Sequence, residues 1–377
     1  MHSVTCDFAV VGAGIAGASI AAELSQQANV ILFEKESQPG YHSTGRSAAM
    51  YIPSYGPPPI QALTKASGDF FNNPPQAFGN TPLLSPRSEL LIARDDQLSV
   101  LDQFAVEYSG NEDISTLSTK EVIERCPILK PGYAAAGILD SSGSDINVDA
   151  LHQYYLSHFK SNGGQLSVNT EIQSLKQRAG AWQIGTDNGD YIARTIINAA
   201  GAWCDHIGTL AGAEPIGLIP KRRTAMTITV SDFPGFDNMP LTADIEELFY
   251  CKPDAGNLLI SPANENPSPP CDVQPEELDI AQCIDRIETA FELDVTTIVS
   301  KWAGLRSFVD DKCPVVGYSH KVNNFFWLAG QGGYGIQSSP ALAKLASALA
   351  LNEPPPPDIL RFGLNTESIS VDRLHSS

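Results

Sequence analysis

The sequence predicts an α/β fold in which a domain built on a parallel sheet is interleaved with an α+β domain built on an antiparallel sheet. The chain has 377 residues, 42% of them hydrophobic, which is more than one compact core usually holds. A short apolar strand near the start runs directly into a glycine-rich turn and a helix, and longer strands that carry charged residues occupy the middle. These three observations favour two domains of different sheet type.

The first predicted element is a βαβ unit. Residues 7–11 form an apolar run suited to a buried parallel strand, and a helix continues from the glycine-rich turn to about Gln27. A second strand at 29–33 ends in Glu34, which lies 20 residues after Gly14. An acidic residue at that distance from a glycine turn is typical of a Rossmann-like dinucleotide site.

The turn between this strand and helix reads G-x-G-x-x-G. Gly12 allows the tight turn, Gly14 lets the backbone approach a pyrophosphate, and Gly17 lets helix and strand pack closely. Free N–H groups at the helix start would bind the phosphates, and Glu34 would accept hydrogen bonds from an adenosine ribose. The structural alternative is a glycine-rich turn without a ligand.

Later segments return to the same domain. We expect residues 41–51, rich in hydroxyl groups, to be a loop that turns into a helix, and Asp149 to cap a helix that ends near Phe159. Strands are predicted at 165–175 and 195–201. A strand at 325–329 then meets a second glycine-rich loop and a helix from about Ile336, whose first turn would hold Pro340.

The middle of the chain predicts the antiparallel sheet. Its longer strands carry charged residues, and a Pro- and Gly-containing turn at 252–257 joins two of them. Proline-rich stretches at 56–59, 262–270 and 354–357 indicate ordered loops. The strands are predicted at 87–93, 221–230, 246–262 and 301–309.

Composition excludes several classes of protein. With 24 Lys and Arg against 43 Asp and Glu, the net charge is −19, which argues against binding to nucleic acid or an anionic membrane face. Seven cysteines without C-x-x-C spacing indicate reduced thiols and a cytoplasmic location, or one peripheral to the inner membrane. We interpret the apolar stretch 8–22 as structure and not as a signal peptide, and expect no transmembrane span. No metal-binding motif such as H-E-x-x-H occurs, so no metal site is predicted.

Five segments, in order over nearly the whole chain, resemble the FAD-dependent D-amino-acid oxidase superfamily. They are GAGIAG (12–17), STGRSAA (43–49), NAAGAWCD (198–205), WAGLRSF (302–308) and GQGGYGIQ (330–337). Within that superfamily, LLSPRSE (83–89), PKRRTA (220–225) and FYCKPDAG (249–256) resemble the bacterial D-arginine dehydrogenases. The resemblance implies a Rossmann-like FAD-binding domain at 1–85, 142–220 and 302–377, and an antiparallel-sheet substrate domain at 86–141 and 221–301.

The resemblance also implies FAD as the cofactor. NAD competes for the first motif alone, but the second glycine-rich loop favours FAD. Relatives of the sarcosine-oxidase type link their flavin to a cysteine near Leu305, where this chain has none, so we expect non-covalent binding. Besides Gly12, Gly14, Gly17 and Glu34, the implied cofactor residues are Ile15, Ala16, Lys35, Ser43, Thr44, Arg46, Ser47, Ala48, Ala200, Gly201, Trp203, Gly332, Gly333, Tyr334, Gly335, Ile336 and Gln337.

Three residues are implied to act directly on the substrate. The guanidinium of Arg306 matches a carboxylate with two donors, Tyr250 would lie over that carboxylate, and Tyr55 would close over the amine from a lid loop. Arg223 is implied as a second cation. Neighbouring strand residues face opposite sides, so at most one of Arg222 and Arg223 can reach the site. The alternatives are a surface ion pair for each arginine, a half-buried strand aromatic for Tyr250 and local loop packing for Tyr55.

Three further residues are implied at the substrate site. Glu89 would bind the cationic side chain of D-Arg or D-Lys; alternatively it is a solvated strand end. Met50 stands where the D-arginine dehydrogenase pattern has histidine, and a thioether cannot relay a proton. The third residue, Gly333, lies in the second glycine-rich loop.

The predicted function is FAD-dependent oxidative deamination of D-amino acids, with basic substrates preferred. Hydride would pass from Cα to flavin N5, and the imino acid would hydrolyse to a 2-oxo acid and ammonia. The alternatives are a glycine- or sarcosine-type amine oxidase, a 2-hydroxy acid dehydrogenase, and a flavin-binding protein without turnover. The electron acceptor could be oxygen, a quinone or a carrier protein.

Overall fold

A computed structural model describes residues 4–79, 81–230 and 235–375. Its strands are β1 Val4–Val11, β2 Val30–Phe33, β3 Met50–Tyr51, β4 Leu84–Pro86, β5 Glu89–Ala93, β6 Ile114–Ser118, β7 Ala136–Asp140, β8 Ser144–Ile146, β9 Gln165–Ser167, β10 Ile172–Arg178, β11 Ala181–Thr186, β12 Gly189–Asn198, β13 Ile219–Ile228, β14 Leu241–Asp244, β15 Tyr250–Asp254, β16 Asn257–Ser261, β17 Asn266–Pro267, β18 Ile298–Phe308, β19 Val315–Tyr318 and β20 Phe325–Ala329. Its α-helices are α1 Ile15–Leu24, α2 Pro58–Asn72, α3 Leu98–Glu107, α4 Thr119–Arg125, α5 Val148–Ser161, α6 Cys204–Ala211, α7 Glu277–Ala290, α8 Gly335–Ala350 and α9 Pro357–Leu360.

The first sheet has a parallel centre. Strands β9, β2, β1, β12 and β20 lie side by side in that order and pair in parallel, while β10, β11 and β19 add antiparallel edges. Helix α1 packs between α5 and α8. Every residue of β2 and β20 is buried, because helices and loops cover both faces of such a sheet.

The second sheet is mainly antiparallel and has nine strands. Their order is β17, β13, β16, β15, β14, β5, β7 and β6, with β18 beside β13, and only β14 and β5 pair in parallel. The small strands β3, β8 and β4 form a third sheet. The predicted fold class, a Rossmann-like parallel sheet combined with an antiparallel one, is confirmed.

The domain boundaries stay a prediction. Strand β18 pairs with β13 from Ile298 to Phe308, so the boundary predicted between residues 301 and 302 falls inside a strand of the antiparallel sheet. Within the described ranges, no helix is long and apolar enough to cross a membrane.

Three local predictions are wrong. The stretch 41–51 turns into the short strand β3 instead of a helix. Asn147, not Asp149, caps α5, because its side-chain oxygen accepts the N–H of Ala150 at 3.0 Å. The single strand expected at 165–175 is two strands, β9 and β10, separated by a turn.

Pro340 lies beyond the first turn of α8, contrary to the prediction. A proline there removes the N–H that would bond to the carbonyl of Ile336, four residues earlier. The hydroxyl of Ser339 donates to that carbonyl at 2.9 Å, so the oxygen stays satisfied. The helix therefore continues through the proline.

Candidate functional site

The first glycine-rich turn is shaped by backbone contacts that only glycine permits. Gly12 has φ +96°, and an added Cβ would lie 2.6 Å from the carbonyl oxygen of Ala199 on the neighbouring strand. At Gly17 an added Cβ would lie 1.7 Å from the Gly12 carbonyl oxygen. Helix α1 can therefore start directly against β1 and β12, and its first residues line the cleft described below.

Glu34 ties the end of β2 to this turn. One carboxylate oxygen accepts the N–H of Ala13 at 2.9 Å, and the other accepts the N–H of Glu36 at 3.0 Å. The side chain is only 8% exposed. Each oxygen keeps a further lone pair, which a ribose hydroxyl could use.

The segment that follows β2 joins the turn to the antiparallel sheet. Thr44 Oγ1 accepts the N–H of Ile15 at 2.9 Å, and Ser43 Oγ donates to the carbonyl of Leu305 at 2.6 Å. The guanidinium of Arg46 donates to the carbonyl of Ala303 at 2.9 Å and pairs with Asp272. The Arg46 guanidinium is therefore occupied by bonds to the antiparallel-sheet unit, although Arg46 also lines the cleft described below.

Lys35 and His42 pack around the ring of Trp203 at the edge of the cleft. The ammonium of Lys35 lies 3.5 Å from the centre of the indole ring, and the His42 ring lies 4.8 Å from it. The imidazole Nε2 of His42 is 2.9 Å from Glu36. The sequence analysis named Lys35 and Trp203, but it did not assign His42 or Glu36 a role.

The second glycine-rich loop makes room for an arginine. An added Cβ at Gly333 would lie 2.7 Å from Nη1 of Arg306, and one at Gly332 would lie 2.0 Å from the ring of Phe308. The N–H of Gly332 donates to the carbonyl of Ser307 at 3.0 Å, so the loop is fixed to β18. The start of α8 therefore lies directly beside the Arg306 guanidinium.

Two guanidinium groups meet at this point. Arg223 is 7% exposed; its Nη2 lies 3.3 Å from Glu265, and its Nε has no hydrogen-bond partner among the described residues. Burial, and then the charge of Arg306, lower the pKa of Arg223. A buried and a partly buried cation with a free donor form a site for an anion. Arg222 faces the other way and binds Asp279 at 2.7 Å.

Tyrosines surround the two cations. Tyr250 lines the cleft together with Arg223 and Arg306. The Tyr55 ring lies 5.0 Å from that of Tyr334, and its hydroxyl hydrogen-bonds with Arg306. Burial raises the pKa of Tyr55, so its hydroxyl keeps its proton, while its oxygen accepts from the Arg306 guanidinium.

Met50, Tyr55 and Glu89 do not line the main cleft; they lie behind it. Met50 is 8% exposed and packs with Ile52 and Leu241 into an apolar cluster that also touches Tyr55 and Tyr250. The predicted substrate residue Met50 therefore belongs to an apolar cluster against which the two tyrosines pack.

Glu89 is a buried acid without a partner. Its side chain is 8% exposed, and its carboxyl forms no hydrogen bond or ion pair with any described residue. Burial, and then the charges of the neighbouring Asp140 and Glu247, raise the pKa of Glu89 to about 8. Asp140, its partner on β7, is satisfied by the Ser54 hydroxyl at 2.5 Å.

The elements line an open cleft that runs from the first glycine turn to the two arginines. Buried side-chain atoms around it lack partners within the described ranges: Ser307 Oγ and Gln331 Nε2 on its lining, and Gln337 Nε2 beside it. Such groups are unfavourable unless a ligand satisfies them. The acceptor-rich edge of a flavin and the phosphates of a dinucleotide fit these donors, and no cysteine is among the described residues that line the cleft.

A family model described as FAD dependent oxidoreductase matches residues 7–349. The chain belongs to this family. FAD is therefore its cofactor, as predicted, and the resemblance to the D-amino-acid oxidase superfamily is confirmed. The finer resemblance to D-arginine dehydrogenases stays a prediction.

Known relatives within this family act in different ways, as their names state. Mitochondrial dimethylglycine dehydrogenase of Homo sapiens is 25% identical over 271 residues, 66% of this chain and 31% of that protein. L-2-hydroxyglutarate dehydrogenase of Escherichia coli (strain K12) is 27% identical over 219 residues, 55% of this chain and 50% of that protein. This chain thus spans about a third of the first relative and half of the second.

Solved structures share the fold over nearly the whole chain. Glycine oxidase from Geobacillus kaustophilus superposes with a TM-score of 0.81 at 20% identity and covers 96% of this chain and 99% of that one. L-alpha-glycerophosphate oxidase from Mycoplasma pneumoniae with FAD bound superposes with a TM-score of 0.82 at 21% sequence identity. The match covers 93% of this chain and 95% of that one. At such identities the likeness concerns the fold alone.

Most residues implied to bind FAD line the cleft of this flavoprotein. Gly17, Tyr334 and Gln337 do not: Gly17 serves helix packing, and the other two lie behind the lining. The sequence analysis missed lining residues in the segments that carried the resemblance, and others near β10 that no motif marks. The residues missed are Val11, Phe33, Gly40, Tyr41, His42, Thr170, Glu171, Ile172, Ala199, Ala202, His206, Ile207, Ala225, Trp302, Gly304, Leu305, Ser307, Gly330 and Gln331.

Proposed function

We propose that this flavoprotein oxidatively deaminates D-amino acids and prefers those with a cationic side chain. One observation carries the proposal: two guanidinium groups, Arg223 and Arg306, and a buried carboxyl without a partner, Glu89, all lie near Tyr55. A basic amino acid carries the complementary charges, a carboxylate at one end and a cation at the other.

The arginines supply the site for the substrate carboxylate. Arg306 and Arg223 offer planar forks of donors, and the unpaired Nε of Arg223 gains a partner when an anion binds. Tyr250 lies beside both. Binding of the carboxylate would also offset the repulsion between the two cations.

The flavin, when bound, supplies the chemistry by accepting the hydride that leaves Cα. The chain's own residues hold the substrate for that step and exclude water. Arg306 and Tyr250 orient the carboxylate, and Tyr55, which hydrogen-bonds with Arg306, holds that guanidinium in place. Because Met50 cannot accept a proton and Tyr55 stays protonated, neither of these side chains takes the proton of the substrate ammonium.

The site for the side-chain cation is Glu89. A buried carboxyl without a cation favours its neutral form, and a guanidinium or ammonium group beside it would favour ionisation. An apolar side chain would gain nothing from an ionised Glu89, and burying that charge unpaired would be unfavourable. The preference for basic substrates follows from this difference, and the D configuration is supported by the sequence resemblance alone.

The rival function is oxidation of glycine, sarcosine or a similar small amine, or of a 2-hydroxy acid. It is supported by relatives and structural neighbours named as dimethylglycine dehydrogenase, L-2-hydroxyglutarate dehydrogenase and glycine oxidase. Their named substrates are also carboxylates, so the two arginines suit either function. The buried Glu89 favours the basic amino acid, because two of these substrate classes lack a side-chain cation and the third would add a second anion.

Anaerobic bleaching of the flavin tests the proposal without assuming an electron acceptor. D-Arg and D-Lys should bleach it fastest, D-Met more slowly, and L-Arg, sarcosine, glycine and L-2-hydroxyglutarate little or not at all. Bleaching by sarcosine or by the hydroxy acid, with none by D-amino acids, would establish the rival function instead.

A further inference from the structure

Three residues far apart in the sequence meet on the parallel-sheet unit, away from the cleft. Glu214 follows α6, His320 follows β19, and His375 follows the single turn Val371–Leu374. One potential ligand atom from each lies within 4.8 Å of the others. None of the three lines the FAD cleft.

Glu214 is a buried carboxylate that lacks a permanent cation. Its side chain is 4% exposed, and no Lys or Arg within the described ranges pairs with it. It accepts hydrogen bonds from the Ser319 hydroxyl on Oε2 and from the indole N–H of Trp327 on Oε1 at 3.3 Å. These donors orient the carboxylate as outer partners orient a metal ligand, and they leave Oε1 with a free lone pair.

The two imidazoles stand beside that free oxygen. Nδ1 of His320 lies 3.5 Å from Oε1 of Glu214, and the rings of His320 and His375 are 4.6 Å apart at an angle of 66°. The His320 side chain is 45% exposed, so it is free to rotate. A tetrahedral zinc ion with bonds of about 2.1 Å needs ligands roughly 3.4 Å apart, a contraction that side-chain rotation can supply.

We propose that Glu214, His320 and His375 bind a zinc ion, which fastens the turn Val371–Leu374 to the end of β19. Two imidazoles and one carboxylate suit a borderline divalent cation such as zinc better than the hard ions magnesium or calcium, which prefer oxygen ligands. Water completes the coordination on the exposed side. The zinc ion also balances the buried charge of Glu214.

The turn is already held on its other side. Arg373 pairs with Asp311 at 2.7 Å and donates to the carbonyl of Cys313 at 2.9 Å. Zinc would close the second side through His375. It would therefore act as a structural clasp on the flavin-binding unit and not as part of the redox site.

The test is zinc titration of the chelator-treated holoenzyme by calorimetry, with magnesium as a comparison ion. We expect one zinc per chain with saturable heat and no saturable magnesium binding. His320→Gln and His375→Gln should each weaken zinc binding at least tenfold, since both change an exposed ligand, while His158→Gln on α5 should leave it unchanged. Flavin absorbance reports that each variant stays folded.

Hydrogen exchange supplies a second readout. Zinc should slow amide exchange at 371–375 in the unaltered chain but not in His375→Gln. The absence of saturable zinc binding, or binding that both histidine variants retain in full, would overturn the site. Zinc binding with unchanged exchange at 371–375 would overturn the clasp.

Discussion

Glu89 and the pair Arg223 and Arg306 hold charge-bearing groups where burial disfavours charge. Arg223 pairs with Glu265 but keeps an unpaired Nε beside the charge of Arg306, and Glu89 has other acids near it and no cation. Both arrangements are unfavourable in the empty protein and become favourable when a ligand of opposite charge binds. Ionisable groups with perturbed pKa values concentrate at functional sites, so these three side chains support the substrate hypothesis.

Replacing Glu89 should change selectivity more than turnover. In Glu89→Leu, kcat/KM for D-Arg should fall at least tenfold, because the cation loses its carboxylate, whereas the value for D-Met should stay within about threefold. Steady-state kinetics with both substrates measure this. A matched control is Asp190→Asn, which alters an exposed acid on another sheet. Equal losses for D-Arg and D-Met would mean that Glu89 is structural.

The preference for D-Arg should depend on pH, because burial and the neighbouring acids Asp140 and Glu247 raise the pKa of Glu89 to about 8. Below that pH the carboxyl is neutral and attracts a cation weakly, and above it the carboxylate is ionised. The ratio of kcat/KM for D-Arg to that for its neutral analogue D-citrulline should therefore increase between pH 7 and 9. Effects of amine and flavin ionisation largely cancel in the ratio. In Glu89→Gln the ratio should be flat, and an equally steep ratio there would exclude Glu89 as the cause.

Replacing Met50 tests whether a base in the apolar cluster beside Tyr55 and Tyr250 affects deprotonation of the substrate. Met50→His introduces a group with an ordinary pKa of about 6.5 next to Tyr55 and Tyr250. We expect a new ionisation in the pH profile of kcat/KM for D-amino acids, because imidazole can accept the ammonium proton. Met50→Leu keeps the apolar packing and should keep the original profile. A profile in Met50→His identical to that of the unaltered enzyme would show that this position does not affect deprotonation.

At the scale of elements, β18 and the loop that starts α8 are shaped to each other. The loop is bonded to β18 through Gly332, and the absence of a side chain at Gly333 leaves the space that Arg306 occupies. The segment after β2 adds a second connection, through Ser43 and Arg46, to the same strand. Strand β18 therefore links the flavin-binding loops to the substrate arginines.

Gly333→Ala should displace Arg306 and raise KM. The added methyl would lie 2.7 Å from the guanidinium, which must move, and a displacement of about 1 Å at a binding group can cost a factor of up to ~100 in rate. We expect KM for D-Arg to rise about tenfold or more while FAD stays bound, measured by kinetics and flavin absorbance. Gly304→Ala is the control, since its added Cβ meets only ordinary contact at 3.6 Å from Arg46. Similar kinetics for both variants would contradict this role of Gly333.

At the scale of the whole molecule, FAD is expected to join the two sheets. The cleft is bordered by both, and the described lining contains no cysteine that could form a covalent link. Unpaired buried donors along it indicate that the empty protein is less stable than the loaded one.

Acid precipitation should release yellow FAD into the supernatant, and removal of FAD should lower the melting temperature by several degrees. A ligand at 100 times its Kd adds about 2.7 kcal/mol to the free energy of unfolding. Added FAD should restore the melting temperature, and FMN should restore less, because it leaves the region of Glu34 and Trp203 empty. Colour retained in the pellet would contradict non-covalent binding.

The sequence by itself determined the parts of this protein that depend on local backbone geometry. The turn at 12–17, the acid that ends β2 and the loop at 330–335 could be predicted because each needs particular residues within one short segment. The alternation of strand residues similarly predicted that Arg222 and Arg223 face opposite ways. Local patterns failed at residues 41–51, where tertiary pairing with β8 makes Met50 and Tyr51 a strand.

Only the tertiary structure decided which distant groups meet and which stay unpaired. That Glu89 lies beside Asp140 depends on the pairing of β5 with β7, and that Glu214 meets two histidines depends on the packing of α6, β19 and the turn at 371–374. No spacing in the chain records these contacts. Charge and hydrogen-bond balance in a buried site depend on the whole set of neighbours, and the fold alone assembles that set.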